Sequence, residues 1–172
     1  DYDLRNSTYK PSSGFKTFFY QKIPVVSTNN EITNNFTFTK YQKLDRATDM
    51  VGKASIYLSA INSYDGGDVR VSKRSKMPYN RLRGFEKGKV GPKDGTDYIG
   101  GNYITTLNLS TNLPAILNAM ENLDFSYFID VANIWGVDYD SSVDQSNFVR
   151  SSTGIGLDWL TPIGPLSFSL TQ

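Results

Sequence analysis

The fold is decided by one stretch of alternating side chains, Leu123-Asp-Phe-Ser-Tyr-Phe-Ile-Asp-Val-Ala-Asn-Ile-Trp135. Successive side chains of a β-strand point to opposite faces of the sheet, so a period of two divides such a stretch into two sets. The stretch therefore predicts a strand with one apolar and one polar face. The apolar set contains Leu123, Phe125, Tyr127, Ile129, Val131 and Trp135, and the polar set contains Asp124, Ser126 and Asp130.

The same period of two recurs on both sides of this strand. Turn-forming residues separate the alternating segments, as in Pro11-Ser-Ser-Gly14, Ser27-Thr-Asn-Asn30 and Thr161-Pro-Ile-Gly-Pro165, which favours antiparallel hairpins. The segment 113–122 is interpreted as one more hairpin connection. Seven strands and no full-length helix are predicted, which makes the fold all-β. Besides 123–135, the strands are expected at 15–23, 36–39, 53–60, 102–113, 148–160 and 166–171.

The residue types present exclude several classes of protein. The chain has 172 residues, with 18 Lys and Arg against 17 Asp and Glu, and it has neither His nor Cys. A disulfide, a thiol nucleophile, a Ser-His triad and a His or Cys metal site are therefore impossible within it. The net charge of +1 gives no electrostatic field suited to binding nucleic acid. We expect no catalytic, cofactor-binding or metal-binding residues, and no enzyme.

The pattern favours a membrane β-barrel and leaves alternatives open. No apolar run approaches the roughly 20 residues of a transmembrane helix, whereas barrel strands carry only alternating segments of about 10. The polar faces hold small and amide side chains, and aromatic residues lie near strand ends, as membrane girdles require. These aromatic residues are Tyr103, Trp135, Phe148 and Trp159.

The alternatives are soluble or self-contained β-proteins. In a soluble β-sandwich the apolar face would be the core. A small eight-stranded adhesin or structural barrel would need a further strand within residues 1–10. A carbohydrate-active sandwich enzyme could use paired carboxylates from Asp124, Asp130 and Asp158, although acids facing a barrel lumen are the commoner explanation.

Residues 63–99 form a long insertion without sustained alternation. It carries nine of the 18 basic residues and several glycines that permit tight backbone turns. Loops of this length are uncommon and usually functional. The insertion is therefore the first place to look for a site.

Four motifs in the chain resemble one family in both residues and order. Tyr79-Asn-Arg-Leu-Arg-Gly-Phe85, followed by Val90-Gly-Pro-Lys-Asp94 and Ile99-Gly-Gly-Asn102, resembles the sixth extracellular loop of the BamA family of outer-membrane protein assembly factors, in the surface-antigen/outer-membrane assembly superfamily. Phe128-Ile-Asp-Val-Ala-Asn-Ile-Trp135 resembles the family's F-x-D-x-G-x-x-W strand, with Ala132 in place of glycine. The remaining two resemblances are a penultimate hairpin at 150–169 and a P-x-S-G turn at 11–14.

The resemblance implies that residues 1–172 are a partial C-terminal barrel domain. The family's transmembrane barrel has about sixteen antiparallel strands, of which about seven would be here, with the long loop 63–99 inserted into the lumen. The missing parts would be the POTRA domains, the N-terminal barrel strands and a final strand after Gln172, so that neither strand of the seam would lie within residues 1–172. The implied location is the bacterial outer membrane, as an integral protein.

The resemblance also names an anchor for the loop. It implies that Arg83 of the Arg83-Gly84-Phe85 motif turns into the lumen and pairs with Asp130, which the alternation independently places on the polar face. Gly84 would allow a bend and Phe85 would pack the loop tip. Ser110 stands where family members often have a second carboxylate, so it is at most a secondary lumenal contact. Breaking a desolvated Arg83–Asp130 pair would cost about 3–5 kcal/mol, and a hydrated pair contributes about 1 kcal/mol or less.

By this resemblance the function is that of a core insertase, which folds nascent β-barrel proteins into the outer membrane without cofactors. Its partners would be those nascent proteins, outer-membrane lipid and the accessory lipoproteins of the assembly complex, but not nucleic acid. The alternative within the superfamily is a paralogous polypeptide translocation or secretion pore, of the TamA or two-partner secretion type.

Overall fold

The computed structural model describes residues 1–25, 30–45, 47–113, 122–145 and 148–172. In these residues, eight strands form one antiparallel sheet, and neighbouring strands in the sheet follow one another in the chain. A long insertion separates the fourth strand of the sheet from the fifth. The described residues contain no helix with the length and hydropathy needed to cross a membrane. The sheet strands are β1 (Tyr2–Asp3), β2 (Gly14–Lys22), β3 (Glu31–Asp45), β4 (Met50–Ser63), β7 (Tyr103–Asn112), β8 (Leu123–Trp135), β9 (Arg150–Thr161) and β10 (Gly164–Thr171); β5 (Lys93–Asp94) and β6 (Asp97–Tyr98) pair separately within the insertion.

All seven strands predicted from the alternation are present, and β1 is an eighth. It pairs Tyr2 with Thr17 and Asp3 with Lys16, and two residues are too few to produce a periodic signal. The tight turn predicted around Pro162 and Ile163 joins β9 to β10. The connections expected at 27–30 and 113–122 fall largely outside the described residues.

One face of the sheet is apolar and open, and we call it the outer face. Ile129 and Leu109 on this face are 39% and 40% exposed, and Phe168 on β10 is 55% exposed. In a soluble sandwich these side chains would form the core, so the sandwich expectation is wrong for this chain. An apolar outer surface around a polar interior is the arrangement of a membrane barrel. The described strands do not close into a barrel, because β1 and β10 are edge strands that do not pair with each other.

The opposite face, which we call the inner face, is covered by the insertion between β4 and β7. The insertion contains a short 3₁₀ turn at Val71–Lys73 and the β5–β6 pair. It packs its own apolar side chains against apolar residues of the inner face. The resulting buried cluster contains Met77, Leu82 and Val90 from the insertion and Ile104, Ala132 and Ile134 from β7 and β8.

The two ends of the sheet differ in the length of their connections. The end at Ser63 and Tyr103, where the insertion leaves the sheet, is called the loop end. The other end, which carries the short turn at 162–163, is called the turn end. Long extracellular loops and short periplasmic turns are the rule in outer-membrane barrels.

Candidate functional site

The tip of the insertion contacts the inner face through Arg83 and Asp130. The Arg83 backbone N–H and Nε donate to Asp130 Oδ2 at 3.1 Å and 2.7 Å, and Nη2 donates to Oδ1 at 2.7 Å. The guanidinium therefore binds the carboxylate in a bidentate, charge-assisted manner, and the backbone adds a third hydrogen bond. We call this arrangement the tip contact. The structure thus brings together the two residues that the sequence singled out.

Asn108 is a third member of the tip contact. It lies directly across from Asp130 in the β7–β8 register, and its Nδ2 donates to Asp130 Oδ1 at 2.8 Å and to the Arg81 carbonyl at 2.7 Å. Arg81 itself donates to Ser55 Oγ at 3.0 Å and lies over the Tyr57 ring. Burial lowers the pKa of the Arg81 guanidinium from its ordinary value, and Tyr57 opposes this effect. Asn108 therefore links the carboxylate to the backbone of the insertion.

Burial decides how strong the tip contact is. The Asp130 side chain is 0% exposed and that of Arg83 is 27% exposed. The fully buried Phe128 ring lies 3.5 Å from the Arg83 guanidinium carbon, as in a cation–π contact. The carboxylate is thus withdrawn from water and accepts four hydrogen bonds in exchange. The pair lies close to the desolvated limit, in which loss of one partner is costly.

The apolar anchor of the tip is Leu82. Leu82 is 1% exposed within the buried cluster, whereas Phe85 is 39% exposed. The packing role expected of Phe85 therefore falls to Leu82, which directly precedes Arg83 in the chain. The alternation of the strands contains no information about which insertion residue is buried.

Gly84 and Ser110 lie beside the tip contact. Gly84 has φ +87°, and a Cβ there would lie 2.5 Å from Thr171 Oγ1 on β10, so the expected bend also brings the backbone close to a strand. Ser110 lines the same cavity as Arg83, and no hydrogen bond within the described residues joins the two. The polar position next to the pair is taken by Asn108.

Comparison with known proteins assigns this architecture to a family. The model of the Omp85 superfamily domain matches residues 1–172. The chain belongs to the Omp85 superfamily.

Two relatives are similar to this Omp85 chain in sequence and in structure. The outer membrane protein assembly factor BamA of Neorickettsia risticii (strain Illinois) is 34% identical over 115 residues, which make up 65% of this chain and 15% of that protein. The crystal structure of BamA from Haemophilus ducreyi lacking POTRA domains 1–3 matches with a TM-score of 0.89 and 28% identity, over 99% of this chain and 37% of that one. The chain therefore spans less than half of the length of either relative. The family and both relatives place it in the outer membrane as an integral protein.

The Omp85 insertion has a second polar attachment, near its two ends. Asp138, just after β8, accepts hydrogen bonds from the Val69 backbone N–H at 2.8 Å and from Asn102 Nδ2 at 2.7 Å. The buried Arg74 side chain lies 3.8 Å from the same carboxylate and over the Tyr139 ring. We call this arrangement the base contact. It joins the start and the end of the insertion to one side chain of the following loop.

Tyr139 adds another link between the insertion and the loop after β8. Its hydroxyl donates to Asp94 Oδ2 at 2.8 Å, and this hydrogen bond, followed by burial, raises the pKa of Tyr139. Asp138 and Tyr139 could not be predicted from the alternation, because neither lies in an alternating strand. Among the described residues, no group of three or more His, Cys, Asp or Glu side chains is placed to hold a metal ion.

Asp138→Ala is expected to loosen the base of the insertion and leave its tip in place. Two hydrogen bonds to a one-third exposed carboxylate are lost, which corresponds to about 1–2 kcal/mol. In the full-length protein in vesicles, trypsin should cleave after Lys73 and Lys76 several times faster, with no change after Lys87 and Lys89.

Asp140→Ala is the matched control for this prediction. Asp140 lies in the same loop, but its carboxylate accepts a hydrogen bond from the backbone N–H of Ser142, two residues later in that loop, and not from the insertion. Cleavage by trypsin should not change in this variant. Equal acceleration at all four lysines in Asp138→Ala would contradict separate tip and base contacts.

Proposed function

We propose that this chain forms part of the barrel of an outer-membrane insertase, which folds nascent β-barrel proteins into the bilayer. The observation that carries the proposal is the buried tip contact. It is formed by the residues of the two motifs that resemble the BamA loop and strand, Arg83 and Asp130. Both relatives are BamA proteins, which supports the same assignment.

In the proposed mechanism the chain does no covalent chemistry and needs no cofactor. A strand entering lipid must keep its backbone hydrogen bonds satisfied, and pairing with a barrel edge supplies them one after another. The role of residues 1–172 is to supply barrel wall and to hold the insertion against the inner face. Because the tip contact spans from the insertion to β8, it fixes the position of the insertion relative to the barrel wall during this exchange.

The expected partners follow from this mechanism. They are unfolded β-barrel proteins, the surrounding outer-membrane lipid and the accessory lipoproteins of the assembly complex. Recognition of an incoming strand through backbone groups is tolerant of sequence, so one barrel could serve many substrates.

Arg83→Ala tests the proposal in a reconstituted system. The full-length protein is placed in phospholipid vesicles with an unfolded barrel protein, and folding is followed by the heat-resistant gel migration of the product. We expect the rate of folding to fall about tenfold, which corresponds to an increase of about 1.4 kcal/mol in the activation free energy of assembly.

Lys89→Ala is the matched control, since Lys89 is a cation of the same insertion that pairs with Glu86, and both side chains are more than half exposed. Its rate of folding should stay within about twofold of the wild type, as expected for a solvated pair. If the wild-type protein transports a polypeptide into the vesicle interior and inserts no barrel protein, it is a secretion pore and the proposal is wrong. Equal rates for Arg83→Ala and the wild type would show that the tip contact is not part of the function.

A further inference from the structure

The outer face has a groove near its turn end. The groove has a volume of about 320 Å³ and follows β4, where Gly52 and Ala54 are smaller than the side chains on the strands at either side. Larger apolar residues form its walls, so the groove results from a step in side-chain size along the sheet. The walls include Leu44 from β3, Leu109 from β7, and Tyr127 and Ile129 from β8.

A lysine lies on the wall of this groove. Lys40 is exposed and pairs in register with Ala54, which pairs with Leu109, so the three side chains belong to the outer face. Among the described strand residues that do not lie at a strand end, Lys40 is the one charged residue on the outer face. Lys53, on the neighbouring strand β4, lies on the inner face over the Tyr41 ring.

A cation on the lipid-facing side of a barrel is costly at the bilayer midplane and is tolerated close to the headgroups. A lysine can extend its ammonium group towards the interface while its methylene groups remain on the apolar surface. Lys40 therefore places a positive charge within reach of headgroups at the turn end, beside an apolar groove of about 320 Å³.

A second groove on the same face provides a comparison. It lies at the loop end, where Ala60 is the small residue between Phe36 and the Tyr103 and Trp135 rings, and none of the described residues that line it is charged. Both grooves face the bilayer, so their apolar surfaces are equally suited to hydrocarbon. The difference between them is the cation at the turn end.

We propose that the turn-end groove binds one acyl chain of an anionic phospholipid, whose phosphate is held by Lys40. The charge of Lys40 complements the phosphate, and the apolar walls complement the chain. Short turns face the periplasm in outer-membrane barrels, so the lipid belongs to the periplasmic leaflet. Lipid binding here is separate from the tip contact, because Lys40 and Arg83 lie on opposite faces of the sheet.

Lipid retention by the full-length protein tests this site. The protein is reconstituted in nanodiscs of phosphatidylethanolamine with phosphatidylglycerol, extracted in mild detergent, and analysed by native mass spectrometry. Lys40→Ala should lower the enrichment of phosphatidylglycerol about fivefold, as expected for one lysine near a membrane surface. Ala54→Leu, which fills the groove, should lower retention of both phospholipids.

Two variants on the same strands serve as controls. Lys43→Ala removes a lysine three residues away that lies on the inner face and pairs with Asp49, and Ala60→Leu fills the uncharged groove. Neither should change phosphatidylglycerol enrichment. Heat-modifiable migration on gels establishes that each variant is folded.

The possible outcomes separate this site from general lipid contact. Loss of phosphatidylglycerol enrichment in Lys40→Ala and loss of retention of both phospholipids in Ala54→Leu, with both controls unchanged, support it. Unchanged enrichment in Lys40→Ala, or equal losses in Lys43→Ala or Ala60→Leu, overturns it. If nanodiscs that also contain lipopolysaccharide show that Lys40→Ala loses lipopolysaccharide and retains phosphatidylglycerol, the assignment to a phospholipid is wrong.

Discussion

Replacing Asp130 by alanine is expected to destabilise the folded protein by about 3 kcal/mol, at the lower end of the range for breaking a buried ion pair. The lower end applies because Arg83 keeps 27% of its side chain exposed and regains some hydration when its partner is lost. Asn108 keeps its hydrogen bond to the Arg81 carbonyl but loses its acceptor on Asp130. The measurement is denaturant unfolding of the full-length protein in detergent micelles.

Asp124→Ala is the matched control on the same strand and the same face. Asp124 also has a cationic partner, Lys10 at 2.8 Å, but the two side chains are 43% and 46% exposed. A solvated pair contributes about 0–1 kcal/mol, so this variant should unfold almost as the wild type does. Similar costs for Asp124→Ala and Asp130→Ala would contradict the argument that burial gives the tip contact its strength.

A double-mutant cycle tests whether Arg83 and Asp130 interact directly. Arg83→Ala removes the guanidinium from both Asp130 and Phe128, and the double variant should cost less than the sum of the two single variants. The shortfall measures the pairwise interaction. Additive costs would mean that each residue stabilises the fold through other neighbours.

The alternation determined which residues share a face, and this part of the fold could be predicted from sequence. Asp130 and Ser110 belong to the inner face, and Tyr127 and Ile129 belong to the outer face, as expected from a period of two. The direction in which each face points was not contained in the pattern. Exposure of the apolar face decided between a sandwich and a barrel.

The apolar residues of the inner face could not be predicted from the alternation. Phe128, Ala132 and Ile134 interrupt the polar set of β8, and each is buried beneath the insertion. Their partners, such as Leu82, come from a segment that has no period of its own, so only the folded chain shows the contact. Asn108 could have been found from sequence, because it lies on the polar face of the strand that precedes β8 and pairs directly with Asp130.

Gly91→Ala is expected to destabilise the docked insertion by about 2–4 kcal/mol. Gly91 has φ +110°, which costs a residue with a Cβ about 1 kcal/mol or more. A Cβ at this position would also lie 2.6 Å from Cγ2 of the fully buried Ile134, and such overpacking costs about 1–3 kcal/mol. Unfolding in denaturant, with trypsin cleavage of the insertion, measures the effect.

Gly88→Ala separates the two contributions, because it has φ +77° and nothing within 4 Å of a Cβ. It should cost only the backbone part, about 1 kcal/mol. In the Ile134→Ala background, Gly91→Ala should cost less than it does in the wild type, since the contacted methyl group is already removed. Equal costs at both glycines would mean that the backbone alone requires glycine. A larger cost for Gly91→Ala than for Gly88→Ala, reduced in the Ile134→Ala background, would explain the glycine of the Val90-Gly-Pro motif by the close approach of the insertion to β8.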